Sequence, residues 1–433
     1  MQRKTIRKIA TLFVSLTLSM LCLLSGIVML NRVSAESNVS AVLNKVDEYI
    51  SKVEGLTPKT EYQIKAKNEM LVYFANIKEH FNELTETEKT ELNTELDEYY
   101  NDMYLEEYLY GGIRNTEYIM SFATMSDVHF SPKGKDYMTH TEPMKNGYFV
   151  KALEDAKAIA PALAGVFVLG DLADNDYDAS HINTDLDMYY EFVNNYEYKN
   201  SNQENIPIDS ILGNHDIGTY EGTAAVYDLS LPIYLEGEGV TSHQWDKWIN
   251  GYHFIFVNPD AHPDTAGVSR SYMVVDGETI DWLDKTLAED EENGKPSFVF
   301  THHPKSAIYT TSDAEMTFQE VIAKHPSSVV VSGHNHSSFD YNTIIQDGTG
   351  TWINQPNISH ENAPKAQYYF VEVYSGGVGL RARETSTDSW ITEKDVVIFN
   401  ETNEVSYKFL NDDGSLIFSG KSEKGETLSV PPN

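Results

Sequence analysis

Residues 164–174 read AGVFVLGDLAD: an apolar run over 166–169 ends abruptly in Gly170-Asp171-Leu172-Ala173-Asp174. Four bulky apolar residues stopped by glycine predict a buried strand that turns sharply at its carboxyl end. The same layout recurs four more times. The run 118–125 leads to Asp127-Val128-His129, 208–212 to Gly213-Asn214-His215-Asp216, 298–300 to Thr301-His302-His303-Pro304, and 329–331 to Gly333-His334-Asn335-His336. A further apolar run covers 254–257, and helical patterns lie between the runs at 150–159, 279–291 and 314–324. Later runs at 368–373 and 378–383 have no helix between them, so the pattern is α/β with a β-rich finish.

Asp, Asn and His are the ligand set for hard-to-borderline divalent metals. Residues two apart near a strand end project to the same side, so Asp127 with His129, and His334 with His336, are each expected to reach toward one point. In open α/β sheets such sites collect beyond the carboxyl ends of the strands. Glycine at 170, 213 and 333 permits tight turns and close backbone approach. One Asp-x-His is a weak signal and a lone His is usually a satisfied structural residue. Five such motifs in order, each directly after an apolar run, are a strong one.

The order D-x-H, GD-x-x-D, GNHD, H-x-P, GH-x-H resembles the signature of the calcineurin-like metallophosphoesterases, over roughly residues 115–385. Trp282-Leu283, ahead of the H-x-P strand, is also similar to that family. The resemblance implies a four-layer sandwich of two mixed β-sheets flanked by helices, with a dinuclear metal centre at the strand ends. Carried over by position, it implies that Asp127, His129 and His336 hold one metal, that Asn214, His302 and His334 hold the other, and that Asp171 bridges them. The H-x-P pattern selects His302 over its neighbour His303. Asp174 is expected beside the ligands rather than among them. Purple acid phosphatases carry a tyrosine where this chain has Asp174, so manganese, zinc or iron(II) is expected rather than an iron(III)–tyrosinate centre.

The chemistry this implies is hydrolysis of a phosphate mono- or diester. Two divalent cations about 3.5–4 Å apart share a hydroxide and lower the pKa of its parent water toward neutrality, while neutralising the phosphoryl oxygens. His215, not counted as a ligand, is expected to give a proton to the leaving oxygen. Asp216 either supports that imidazole or serves as a helix-start carboxylate. The alternative is a cell-surface interaction protein with a phosphoesterase fold as scaffold; it predicts lost ligand positions, and none is lost. Lys133, Lys135, His140, His181 and Lys305 flank the motifs and read as solvated surface groups. His243, Trp245 and Trp248 read as packing or as part of a substrate wall.

Outside the catalytic pattern, Arg3, Lys4, Arg7 and Lys8 precede an apolar run over 9–30, and Val33-Ser34-Ala35 resembles a small-residue cleavage site. This is a signal-peptide layout, with an uncut membrane anchor as the other reading. It places the protein outside the cell or at its surface. The whole chain of 433 residues carries 32 basic and 66 acidic residues, a net −34. A cut after Ala35 removes five basic residues and no acidic one, leaving −39, and takes away the single cysteine, Cys22. So acidic a surface repels polyanions, which argues against nucleic-acid wrapping and adhesion to anionic membranes. The expected substrate is a small-molecule or cell-envelope phosphate ester.

Apolar stripes at helical spacing (Val42, Val46, Tyr49, Ile50, Val53; Met70, Phe74, Ile77, Phe81, Leu84; Leu92, Leu96, Tyr99, Met103) predict a small antiparallel bundle near the start. Thr57-Pro58 and the Thr85–Glu88 spacing read as helix starts. Val405, Tyr407 and Phe409 alternate, Asp413-Gly414 offers a hairpin turn, and Leu416 and Phe418 resume. The stretch 407–432 resembles one unit of the β-repeats of Gram-positive surface proteins. The organisation expected is a signal peptide at 1–35, a helical module at 36–112, the phosphoesterase domain at 113–390 and a C-terminal β segment at 391–433, the flanks serving cell-surface association.

Overall fold

The computed structural model describes residues 29–433 apart from 57, 59–60, 115, 131–146, 174–178, 201, 219–223, 270, 290–294, 337, 340–343, 347–350, 359–365, 392–393, 400–404, 411–415 and 423–433. Most of the apolar run at 9–30, and the residues Thr57, Asp413 and Gly414, lie outside that set. Among the described residues no helix is long and apolar enough to cross a membrane. The chain divides into two compact units, one of residues 1–56 and 69–98, the other of 57–68 and 99–433.

The first unit draws on the helices Met29–Glu54, Glu61–His80 and Glu86–Asp102. Most of the stripes predicted from sequence form its core: Val42, Val46, Val53, Met70, Phe74 and Leu96 are buried, and Tyr49 lies 5.5 Å from Phe74 between ring centroids. At the end of the third stripe Tyr99 and Met103 are half-buried, and the buried positions are their neighbours Tyr100 and Tyr104. Thr85 and Glu88 close a capping box, with Thr85 N donating to Glu88 Oε2 at 2.7 Å and Glu88 N to Thr85 Oγ1 at 3.3 Å. The box satisfies amides that the helix start leaves over.

The second unit is built on two large sheets. The first has the order β17 (Leu416–Ser422), β16 (Val405–Leu410), β15 (Val396–Phe399), β13 (Gly377–Glu384), β12 (Gln367–Tyr374), β1 (Tyr118–Met125), β2 (Val166–Leu169), β3 (Ile208–Ile211), with β14 (Ser389–Trp390) on β13. Strands β1, β2 and β3 run parallel; the rest pair antiparallel. The second sheet has the order β10 (Ile344–Gln346), β11 (Thr351–Asn354), β9 (Ser328–Ser332), β7 (Ser297–Phe300), β5 (Tyr252–Phe256), β4 (Trp245–Ile249). Its four inner strands are parallel and its two edges antiparallel. A small parallel pair, β6 (Met273–Val275) and β8 (Ile308–Thr310), stands apart.

Both sheets are mixed, and helices cover both outer faces. The alternation of side chains along each strand sorts the apolar runs into two sets. Phe122, Phe167, Phe254, Phe298, Phe300 and Val331 share one core between the sheets. Val166 and Val168 face the other way, onto Phe149 and Leu153 of Tyr148–Ile159, Leu186 and Tyr189 of Ala179–Asn195, and Tyr234 of Ala224–Glu238. Val299 and Val330 face Ile280 and Leu283 of Gly277–Ala288 and Val321 of Phe318–Lys324. The result is helix, sheet, sheet, helix. Pairing of both faces explains why these strands read as unbroken apolar runs instead of polar–apolar alternation.

The carboxyl ends of β1, β2, β3, β7 and β9 carry the five polar motifs. The C-terminal strands β15, β16 and β17 continue the first sheet outward from β13.

Candidate metal centre

The ladder between β1 and β2 runs on past the strands. Asp127 N donates to Gly170 O at 3.1 Å and His129 N to Asp171 O at 2.9 Å, so the two motif loops travel side by side. The chain then takes a conformation that strands do not supply. Asp127, His129, Asp171, His334 and His336, five of the seven expected ligands, all have positive φ, between 48° and 75°. Each such residue is held at an expense of order 1–3 kcal/mol and persists only where its surroundings enforce it. The convergence of Asp127 with His129, and of His334 with His336, therefore comes from left-handed turns beyond the strand ends, not from strand alternation.

Two glycines show how tightly the turns are packed. Gly170 has φ +78°, and a Cβ there would stand 2.7 Å from His302 Nδ1; a Cβ on Gly213 would stand 2.2 Å from Asp171 Oδ1 and 2.3 Å from Asp171 N.

The side chains form two sets around one carboxylate. Asp127, His129, Asp171 and His336 present ligand atoms all within 4.8 Å of one another. Asn214 Oδ1 lies 3.1 Å from His302 Nε2 and 2.7 Å from His334 Nδ1. Asp171 Oδ2 faces both sets, 3.2 Å from His302 Nε2, 3.7 Å from His336 Nε2 and 3.8 Å from His129 Nε2. His302, not His303, thus meets Asn214 and Asp171. The buried His303 stacks its ring against His334, with centroids 4.4 Å apart.

Each carboxylate is held by one oxygen and offers the other. His215 N donates to Asp171 Oδ1 at 2.8 Å, and His334 N to Asp127 Oδ2 at 3.2 Å. The remaining oxygens, Asp171 Oδ2 and Asp127 Oδ1, are buried and make no well-aligned hydrogen bond; imidazole nitrogens face them, His302 Nε2 at 3.2 Å from Asp171 Oδ2 and His336 Nε2 at 3.1 Å from Asp127 Oδ1. A buried anionic oxygen without a donor is costly unless a cation completes it. His302 Nδ1 lies 2.6 Å from Leu169 O, which holds a proton on Nδ1 and leaves Nε2, facing Asn214 Oδ1 and Asp171 Oδ2, as the nitrogen a metal would take.

The electrostatics point the same way. Burial alone raises a carboxyl pKa, yet the imidazoles around Asp127 and Asp171, His336 and His302 foremost, hold both below the usual range. Burial also lowers an imidazole, but ion pairing with Asp127 and Asp171 pushes His336 up to about 10, and Asp171 pushes His302 up to about 9. His129 and His334 stay neutral, depressed first by burial and then by neighbouring imidazoles, His334 to about 4. The acidic pair demands positive charge, supplied by protons on two histidines when no metal is bound. The donor set, its orphaned oxygens and this demand fit divalent cations.

A family model for calcineurin-like phosphoesterases matches residues 120–338, half of the chain. The chain belongs to that family. An Arabidopsis thaliana protein named as a metallophosphoesterase is 24% identical over 234 residues, which are 50% of this chain and 30% of that one, so the chain spans under a third of that relative's length. Among solved structures, a dimetal phosphatase from Danio rerio aligns over 66% of this chain and 100% of its own, at 13% identity and a TM-score of 0.43. A protein of Streptococcus pneumoniae described as a phosphoesterase aligns over 65% and 97%, at 12% identity and a TM-score of 0.27.

In this calcineurin-like phosphoesterase domain the buried His215 stands edge-on to His129, centroids 4.8 Å apart, beside the first ligand set. Asp216 departs from the imidazole-supporting role. Its Oδ2 accepts from Gly213 N at 2.7 Å and Leu172 N at 3.1 Å, and its Oδ1 from Ala173 N at 2.8 Å. It is the helix-start carboxylate of the short helix Asn214–Ile217 and bolts the GNHD turn to the GD-x-x-D turn. Burial and the nearby Asp171 push it up to about 7 against the pull of those three amides.

Lys133, Lys135, His140 and Asp174 lie outside the described residues, and His181 falls in the helix Ala179–Asn195. Lys305 Nζ lies 5.6 Å from the centroid of the Trp352 ring. Trp245 is a packing residue, stacked 3.8 Å from Phe256. The half-exposed Trp248 stacks on His253 at 4.2 Å, and His243 Nε2 meets Asp260 Oδ1 at 2.6 Å. One group with a part in the site has no motif of its own. Asn354, at the end of β11, donates from Nδ2 to Gly333 O and accepts Asn335 Nδ2 at 2.8 Å, which secures the GH-x-H turn. The signal for it was present: TWIN, residues 351–354, is another short apolar run closed by a polar residue.

Proposed function

We propose that the protein hydrolyses a phosphate mono- or diester at a centre of two divalent cations, manganese, zinc or iron, and acts outside the cytoplasm or at the cell surface. The observation that carries the reading is Asp171 Oδ2, buried and faced by imidazole nitrogens of both ligand sets. In this reading Asp127, His129 and His336 hold one cation, Asn214, His302 and His334 the other, and Asp171 both. Two such cations, when bound, lower the pKa of a shared water toward neutrality and neutralise phosphoryl oxygens. The chain itself orients the ligands through the backbone amides of His215 and His334. His215, beside the first set, would give a proton to the leaving alcohol oxygen. All seven ligand positions are intact, which supports catalysis over a scaffold role.

A net charge of −34 disfavours a polyanionic substrate and supports a small or cell-envelope ester. Extracellular placement is supported by the basic start, the apolar run and the Val33-Ser34-Ala35 site.

The test is metal analysis of the purified protein with hydrolysis of p-nitrophenyl phosphate and bis-p-nitrophenyl phosphate in Mn²⁺ and Zn²⁺. Close to two ions per chain and loss of activity on chelation are expected, with Asp171→Asn weakening both ions. Full activity after exhaustive chelation overturns the reading.

A further inference from the structure

Strand β3 is the last of its sheet, and among the described residues no neighbouring strand covers its outer side. Residues two apart on a strand send their backbone groups to the same side, and on this edge side chains stand in for the missing strand. Ser210 N donates to Glu238 Oε2 at 3.1 Å, Ser210 O accepts Tyr234 Oη at 3.0 Å, and Leu212 N donates to Asn258 Oδ1 at 2.6 Å. Asn258 comes from the far sheet, two residues past the end of β5, and is fully buried.

Its orientation leaves no freedom. Nδ2 donates to Tyr234 Oη at 2.9 Å and to His243 O at 2.5 Å. Asn258 N donates to Gln244 Oε1 at 2.8 Å, and Gln244 Nε2 returns a bond to Asn258 O at 2.8 Å. A carbonyl on one side and an amide N–H on the other fix which atom is oxygen. Leu212 is followed at once by Gly213, whose Cα has no room for a methyl beside Asp171, and by Asn214, whose Oδ1 meets both His302 and His334.

We propose that Asn258 is a positioning residue for the cation held by Asn214, His302 and His334. By taking the Leu212 N–H across the gap between the sheets, it sets where the GNHD turn begins. This rests on the two-cation reading above. Asn258 does not touch substrate; it acts through the turn.

The test uses the full chain with Asn258→Ala and Asn258→Asp, measuring Mn²⁺ stoichiometry and affinity, kcat and KM for bis-p-nitrophenyl phosphate across Mn²⁺ concentrations, and Tm. Wild type should hold two ions. In Asn258→Ala one ion should weaken by about 10–100-fold, the usual effect of removing a group that orients a ligand, while the other is unchanged. Its kcat should fall at low Mn²⁺ and recover in excess Mn²⁺, with KM for the ester near wild type. Asn258→Asp keeps an acceptor for Leu212 N but sets a carboxylate against His243 O, so its Tm should fall while both ions stay close to wild-type affinity. That reversal, lower stability with better metal retention, is what a merely structural role would not produce. The aspartate variant decides the matter if the alanine variant does not fold. Retention of both ions at wild-type affinity in Asn258→Ala, or parallel weakening of both in step with Tm, overturns the proposal. A wild type with fewer than two ions overturns the two-cation reading, and this proposal with it.

Discussion

Replacing Gly213 by alanine is the sharpest test of the site's construction. The added Cβ would stand 2.2 Å from Asp171 Oδ1, 2.3 Å from Asp171 N and 2.9 Å from Asp171 Cγ. An ordinary contact needs at least 3.4 Å, and two of the three offending atoms belong to the carboxylate that faces both ligand sets. Because the third is a backbone atom, no rotamer change relieves the clash, and the two turns must part by about 1 Å, a misplacement worth about 10²-fold in rate. Overpacking of this kind costs about 1–3 kcal/mol of stability, so the variant should fold and lose only a few degrees in Tm. The assay is Mn²⁺ titration alongside kcat/KM for bis-p-nitrophenyl phosphate, with a fall of at least about 10²-fold expected and both ions weakened. Gly333→Ala supplies the internal comparison. Its Cβ would meet Ser126 Oγ at 1.7 Å, a removable hydroxyl, before Asp127 Oδ2 at 2.8 Å. Adding Ser126→Gly should restore part of the activity of Gly333→Ala, whereas no single truncation rescues Gly213→Ala. Wild-type kcat/KM with two tightly held ions in Gly213→Ala would refute the close approach.

His215→Ala should keep its metal content while kcat falls by roughly 10²–10⁴, and by less for nitrophenyl esters, whose leaving groups need little protonation; metal loss that is rescued by added Mn²⁺ would make His215 a ligand instead. Glu238 gives a pH test away from the metals: burial, then the nearby Asp209, push it up to about 8 although Tyr190 Oη and Ser210 N donate to it. A carboxyl raised on folding contributes stability that is full below its unfolded value near 4.5 and is lost as pH rises through about 8, so Glu238→Gln should gain stability relative to wild type between pH 5 and 9, by up to about 5 kcal/mol at about 1.4 kcal/mol for each pH unit between those values. A difference that stays flat with pH would show that Glu238 ionises freely. For export, the mature chain should begin near Glu36, read by N-terminal sequencing of the native protein; an intact start recovered with membranes would indicate an anchor.

Much of the fold was legible because strands buried on both faces need no alternation, only short runs such as 166–169 and 329–331 closed by a glycine. The proposed ligands were legible because each follows such a run closely. Among the described residues, two of the longer helices were not foreseen. Ala224–Glu238 contains Pro232, which removes a backbone donor mid-helix and speaks against helix locally, while Ala179–Asn195 buries tyrosines, Tyr189 and Tyr190, in place of an aliphatic stripe. Alternation at 405–418 marks strands but cannot say which sheet they join, since β pairing is decided by residues far away in sequence. For the same reason the duties of Asp216 and Asn258 were hidden. Both bind backbone amides of other turns, and a backbone amide leaves no mark in a sequence. The run 254–257 closed by Asn258 had the layout of the metal motifs, but only the folded chain distinguishes a ligand from a brace.

The left-handed backbone at Asp127, His129, Asp171, His334 and His336 sets melting temperature and catalysis against each other. Glycine adopts such φ values without steric penalty, so Asp127→Gly or His336→Gly would relax the backbone of the metal-free chain while removing one of the proposed metal ligands. Laboratory evolution scored on heat resistance alone, in the absence of metal, would therefore enrich glycine where function needs it least. The variants that emerged would be hardy and inert, and only a turnover-based screen would recognise what had been discarded.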